Sequence, residues 1–537
     1  MSKFFKALSI SSFAFLVACG TAPETGTQPP QPSGEPTQIV GEGDSNNISN
    51  GDHIVWATLS DPVSLDPIAS NDSASTDATT QMFEGLVRFD PNVDHVSLVP
   101  WLAESFGQID EYTWYFNIRQ GIYFHDGAYL NAEAAALSIN RSLDIENHTI
   151  PAFFVVEMIE SAVAVDEYTL HITTRFPFAP LPGHLAHRIG FIVSPLAIEE
   201  EANGGRLVAD NPQGTGPFRL ASRSHGNNIV FERNENYWGE LALPSTLEFL
   251  VVPEPSTRFA MVETGEAQAI PGQVTDLDVA LATPQLDVTF VQTTSLNYIG
   301  FNTNPDHPYL SNHLVRQAIA MAINRADIVD HILQGIGIPA DGMVAPMVAF
   351  APQDPEFLPY DPDAARELLA QAGFPNGFTL NFWYNDGNSV RGMIGVFVQA
   401  ALAEIGITVN VSSLEWGAYL EHTAEGLHDM FILGWVTVTG DADYALFPLL
   451  HTSQHGSAGN RFFYSNPRVD YLLEAGRSST SGQERYAIYS EIVEIINQEV
   501  PLIPINYAEQ LIFSNGIGGL LTDFANTPHF RGVYIRR

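Results

Sequence analysis

The sequence predicts an α/β chain. Short alternating apolar runs bounded by turn residues recur along it, as strands require. Between them lie stretches whose apolar residues repeat every three to four positions, as helices require. The two patterns interleave along the chain, and no short repeat points to a solenoid or a propeller. Apolar residues make up 45% of the 537, which fits a globular body. The length alone suggests about three domains.

In chain order, Lys3 and Lys6 come first, then an apolar run from Ala7 to Val17 and the small residue Ala18. This is the pattern of a secretion signal over residues 1–18. The run is too short for a bilayer, which needs about 20 apolar residues. Residues 19–50 hold Pro23, Pro29, Pro30, Pro32 and Pro36 among Gly, Ser, Thr and Gln, with no aromatic. Such a segment buries too little apolar surface to offset its ordering, so a tether is expected. Thirty flexible residues span on the order of 30 Å.

The globular pattern starts at His53. Ile54–Ala57, Tyr112–Ile118, Tyr168–Thr173 and Ile229–Arg233 read as strands. Helical spacing covers Ala132–Leu143, Leu314–Ile323, Ala364–Ala372, Ile394–Ile405 and Arg485–Asn497. Asp361-Pro362 is a cap followed by proline at the first helical position, and Gly373 ends that helix. Gly214, Gly216 and Pro217 fix a tight turn before a strand that starts at Phe218. The spacing of Gly214-Thr215-Gly216 and the lack of a lysine exclude a phosphate loop. His125-Asp126-Gly127 reads as a turn in preference to an acid/base pair.

Cys19 is the only cysteine, so no intrachain disulfide is possible. Core burial is sufficient for a chain of this size. Lys3 and Lys6 are the only lysines, and 62 acidic residues give a formal charge of −39. Such a surface does not seek nucleic acid or an anionic membrane face. Arginine keeps its charge where lysine starts to lose it, and acidic surfaces stay hydrated in salt. We therefore hypothesise a saline or alkaline medium, against the alternative of compositional drift. Greatest stability near pH 6 in low salt would contradict the hypothesis.

Several phrases occur in one order. They are Pro100-Trp101-Leu102-Ala103-Glu104-Ser105, Ile118–Gly127, Leu130-Asn131-Ala132-Glu133 and Ser138-Ile139-Asn140-Arg141. Then come Gly214-Thr215-Gly216-Pro217-Phe218, Arg233–Gly239, Val315–Ile319, Tyr360-Asp361-Pro362, Gly434-Trp435 and Tyr464–Asp470. Together they resemble the family 5 extracellular solute-binding proteins of ABC transporters, the group that binds dipeptides, oligopeptides, glutathione and nickel. The match runs from about His53 to the C-terminus. Leu16-Val17-Ala18-Cys19 likewise resembles the lipobox of bacterial lipoproteins, which implies cleavage before Cys19 and a lipid on it.

The family resemblance implies a two-lobed periplasmic-binding-protein type II fold with a cleft and an extra inserted domain. Lobe I would be discontinuous, over residues 51–85, 214–295 and 508–537. The inserted domain would be 86–213, and lobe II 296–507. Peptide binders of the family often carry Gly-Trp-x-x-Asp, the aspartate pairing with the peptide amine. Here that position is Val438. Asp441 or Asp443 is the expected substitute, unless Asp441 caps a helix over Tyr444–Leu450. Arg391 is the nearest candidate for the solute carboxylate. Trp435, Thr437 and Tyr384 are expected cleft walls. Ser70-Asn71-Asp72 would face the cleft, and Asn460-Arg461 would line it. Sixteen histidines form no tight cluster; His184 with His187 and His451 with His455 have spacings that admit a metal but fit surface or structural roles better.

The function implied is a lipid-anchored, extracytoplasmic receptor that closes on an oligopeptide-like solute and hands it to a membrane permease. A monomer without cofactor is expected. The alternatives are a binder of a non-peptide solute such as a nickel chelate, or a sensor or adhesin on the same fold. A hydrolase finds no support, for there is no Gly-x-Ser-x-Gly, no His-Glu-x-x-His and no cysteine past Cys19.

Overall fold

The computed structural model describes residues 52–536, apart from residues 94, 457 and 458. The expected signal, the expected lipidation at Cys19 and the expected tether therefore lie outside the described residues. The strands and helices expected from sequence are all present, displaced by a few residues at their ends. Ile54–Ala57 lies within the strand His53–Thr58, and Ile229–Arg233 within Asn228–Arg233. The helix Pro362–Gln371 begins where Asp361 accepts from the Ala364 N–H at 2.9 Å, and Gly373 follows it at φ +95.

One eleven-stranded mixed sheet runs through the fold. Its order is Thr408–Leu414, Thr379–Asn385, Met430–Val436, Leu286–Phe301, Leu502–Asn515, Ala269–Pro271, His53–Thr58, Thr246–Val251, Asn228–Arg233, Phe218–Ser224. The short strand Ile338–Pro339 pairs with Leu502–Asn515. Among the described residues, the long strands Leu286–Phe301 and Leu502–Asn515 are the ones that serve both halves of this order. Their pairing slips in the middle, where Thr293, Thr294 and Ser295 stand against the single residue Ala508. An insertion of this kind bends and twists a ladder locally.

A second, four-stranded antiparallel sheet has the order Ala103–Gln108, Thr113–Ile118, Thr169–Thr174, Ile159–Ala164. It carries a separate apolar core over residues 68–192, joined by Tyr444. Two cores lie within residues 296–507. Two more collect around Trp56 and Val262. Val193, Ala197 and Val208 pack with Trp56 and not with the four-stranded sheet. The end of the 86–213 segment thus shares its core with the flanking chain.

The sequence motifs have local jobs. Gly214 lies against the backbone of Met82, where a Cβ would come within 2.1 Å of the carbonyl oxygen. The Gly216 N–H donates to that same carbonyl at 2.9 Å. His125 bonds the Gly216 carbonyl oxygen at 3.0 Å, and Asp126 accepts from Ser194 at 2.6 Å. His125-Asp126-Gly127 is thus a structural turn, with Gly127 at φ +87.

Burial sets a pH dependence. Burial pushes His125 down to about 4 and His428 down to about 3, and it lowers His187 as well. These rings are neutral in the folded chain, while in the unfolded chain they take a proton below about 6.5. Their contribution is complete above that pH and is lost as pH falls toward 4 and 3. Each costs about 1.4 kcal/mol per pH unit in that window. Urea midpoints should therefore fall from pH 7 to pH 5, and a flat profile would contradict this.

Candidate functional site

Trp435 is the penultimate residue of the strand Met430–Val436, whose pairing with Leu286–Phe301 places Trp435 opposite Leu296. Its ring stacks on Tyr444 at 5.3 Å between centroids, and its Nε1–H donates to the Tyr444 carbonyl at 2.9 Å. Tyr444 belongs to the apolar core of residues 68–192, with Phe154 at 5.8 Å and His184 at 6.2 Å. Trp435 packs against both that core and the core around Tyr298. The aromatic pair thus sits on the seam between two hydrophobic bodies.

The same seam carries charge. His184 Nε2 lies 3.5 Å from the Asp443 carboxylate, and Arg477 Nε lies 3.3 Å from it. Arg477 also approaches Glu157 at 3.8 Å and lies over the Phe447 ring at 3.6 Å. The Ala179 N–H donates to the Arg477 carbonyl at 3.2 Å. Burial alone would raise the Asp443 carboxyl, but Arg477 and His184 hold it below the usual carboxylate range. Burial raises Glu157.

Asp441 takes the capping role. It caps the helix Ala442–Leu450 by accepting from the Asp443 N–H at 2.9 Å. Arg485 grips both its oxygens, at 2.9 and 2.7 Å. Three of the four lone-pair sites of the carboxylate are thus taken, two on Oδ1 and one on Oδ2. Asp443 is 1% exposed and committed to Arg477 and His184. Val438 packs against the core of residues 68–192.

Asn460 forms a corner of the fold. It is fully buried, donates to the His451 and Tyr464 carbonyls, and accepts from the Tyr464 N–H. Thr437 is buried, and its carbonyl accepts from the Thr294 hydroxyl at 3.2 Å. Tyr384 is half-buried with its ring against Gly392. Arg391 is half-buried. It donates to Asn385 at 2.6 Å, and its Nη2 lies 3.6 Å from where a Gly434 Cβ would stand. This puts Arg391 one residue from Trp435 along the strand, and burial lowers its pKa.

Ser70 is buried and Asn71 exposed. The Ser70 hydroxyl accepts from Arg188 Nη1 at 2.9 Å. Sequence reasoning missed Arg188. Its signal was a lone cation within the apolar stretch from Leu181 to Val193. It is 2% exposed, and burial pushes its pKa down to about 10. The histidine pairs are bonded within the protein. His184 Nδ1 bonds the Val155 carbonyl, and His187 Nδ1 accepts from the Ile189 N–H. His451 and His455 bond Ser453 and the Tyr464 carbonyl. Among the described residues no three acidic, histidine or cysteine side chains converge as metal ligands.

Residues 97–457 match the bacterial extracellular solute-binding proteins, family 5 Middle. The chain belongs to this family. The glutathione-binding protein GsiB of Pectobacterium atrosepticum is 31% identical over 462 residues, covering 84% of this chain and 88% of that one. GsiB of Salmonella typhi is 32% identical over the same span. Among solved structures, the periplasmic binding protein DppA of Helicobacter pylori in complex with the peptide STSA superposes with a TM-score of 0.82 at 28% identity. That match covers 91% of this chain and 99% of DppA. The oligopeptide-binding protein AppA of Bacillus subtilis, at 23% identity and a TM-score of 0.78, shares the fold. This family 5 protein has the two-lobed type II fold of the periplasmic binding proteins and is a solute-binding transport protein, not an enzyme. The family is extracytoplasmic, and no helix among the described residues is long and apolar enough to cross a membrane.

Proposed function

We propose that this family 5 protein captures a short peptidic solute by lobe closure and delivers it to the permease of an ABC transporter. Lobe I is residues 51–85, 214–295 and 508–537, the inserted domain is 86–213, and lobe II is 296–507. Lipidation of Cys19 anchors the body to the membrane, and the tether lets it reach the permease. The lobes turn about the slipped pairing of Thr293–Ser295 with Ala508, the point where two strands pass between them. Solute contacts to both sides favour the closed form, which is how a ligand shifts such an equilibrium.

The observation that carries this reading is the stacked Trp435–Tyr444 pair on the seam between two hydrophobic bodies. The half-buried Trp435 ring, held by the buried Tyr444 ring behind it, offers an apolar surface beside polar atoms, which suits a solute of mixed character. The glutathione-binding relatives and the peptide complex of DppA support a peptidic solute.

A thermal-shift panel on the full chain tests this, with glutathione, peptides of two to five residues and a nickel–histidine chelate. A ligand at 100 times its Kd stabilises by about 2.7 kcal/mol. We expect glutathione or a short peptide to raise the Tm. Silence to all of them with a response to the chelate would overturn the peptide reading.

A further inference from the structure

Arg188 is 2% exposed, and its only hydrogen bond among the described residues is the one from Nη1 to Ser70. Its Nε and Nη2 are buried and have no hydrogen-bond partner among the described residues. Two residues from Ser70, Asp72 caps the helix Ser73–Met82, its Oδ1 accepting from the Ser75 N–H at 2.9 Å. Its other oxygen, Oδ2, is also buried and without a hydrogen-bond partner among the described residues. A buried charge without a counter-group is costly and is seldom retained without a use. Here a buried guanidinium and a buried carboxylate oxygen are both incompletely bonded, on segments joined by the Arg188–Ser70 bond, and yet not hydrogen-bonded to each other. Asp72 is the strongest attractive influence on Arg188, and Tyr444 is the next.

We propose that Arg188 and Asp72 hold the α-amino-acid group of the solute, an ammonium and a carboxylate on one carbon. The carboxylate accepts from Nε and Nη2 of Arg188 as a two-pronged pair. The ammonium donates to Oδ2 of Asp72. A purely anionic solute would leave the Asp72 oxygen facing a like charge, and a purely cationic one would leave Arg188 unpaired. Only a group with both charges satisfies both. Asp77, five residues on in the same helix, is raised by burial and by the neighbouring Asp523 and Asp72 carboxylates, so an ammonium here also relieves their repulsion. The arrangement supplies an amine acceptor that Val438 does not. It rests on the peptidic reading above and narrows it to solutes with a free amino-acid end, such as γ-linked peptides.

Calorimetric titration with three probes tests the assignment: glutathione, N-acetylglutathione and trialanine, whose amine and carboxylate are at opposite ends. Wild type should bind glutathione at least about tenfold tighter than the N-acetyl form. Asp72→Asn keeps an oxygen for the Ser75 N–H and so keeps the cap, and it should erase that difference. Arg188→Gln should weaken glutathione by roughly 10- to 100-fold, since bonds to charged groups are the strong ones. Equal binding of glutathione and its N-acetyl form by wild type would overturn the assignment. So would both variants binding glutathione within about threefold of wild type. Tight trialanine binding without glutathione binding would overturn it while leaving the peptidic reading intact. Silence of wild type to glutathione and trialanine alike would overturn both.

Discussion

Trp435→Ala weakens solute binding by roughly 30-fold or more. Aromatic anchors that cost at least about 2 kcal/mol on truncation dominate most binding sites. Trp435 has the features of one. Its ring is stacked on Tyr444, its nitrogen is fixed on the Tyr444 carbonyl, and it touches two cores. The alanine variant also loses packing, so its stability falls by about 3 kcal/mol or more. Trp435→Phe separates the two effects, because it keeps a stacking ring and loses the Nε1 donor. Calorimetry on both variants, at a temperature where each is folded, checks the result. The phenylalanine variant should retain most of the affinity. Alanine binding within about threefold of wild type would place the solute elsewhere.

Arg485→Ala destabilises the fold by about 3 to 5 kcal/mol and leaves solute selectivity unchanged. That is the range for removing one partner of a buried ion pair. Arg485 is 3% exposed and grips Asp441 through both terminal nitrogens. It also donates to the Gly476 carbonyl at 2.9 Å and to the Tyr489 hydroxyl at 3.0 Å. Its loss leaves Asp441 as an unpaired buried carboxylate at the start of the helix Ala442–Leu450. Urea unfolding measures the change. Were stability untouched while the preference for a free amine vanished, Asp441 would be the solute's anchor after all.

Much of the fold was legible because its signals are local. Alternation in Thr113–Ile118 and the Asp361-Pro362 cap act within a few residues, and each formed the expected element. The helix Ser389–Glu404 starts five residues before the apolar repeat that predicted it. Asn388 caps it, but Gly392 and Gly395 dilute the helical signal in the first turns. The outer part of residues 86–213 was harder to divide, since Val193, Ala197 and Val208 find their partners around Trp56, far off in sequence.

The candidate site was less legible, because polar roles depend on partners. Nothing near Asp441 in sequence announces Arg485, 44 residues on. Nothing near Asn460 announces that its amide is consumed by His451 and Tyr464. Trp435 and Ser70 were named as candidates through the family resemblance. Arg188 was not, since a lone arginine in an apolar stretch becomes a candidate only when its burial and its missing partners are seen.

Native mass spectrometry of the full chain, purified in mild detergent with whatever solute it retains, tests the central claim most directly. The account predicts a one-to-one bound mass that fragments as a short peptide with a free amino-acid end. A bound metal chelate or a sugar, with no peptide displacing it, would contradict it.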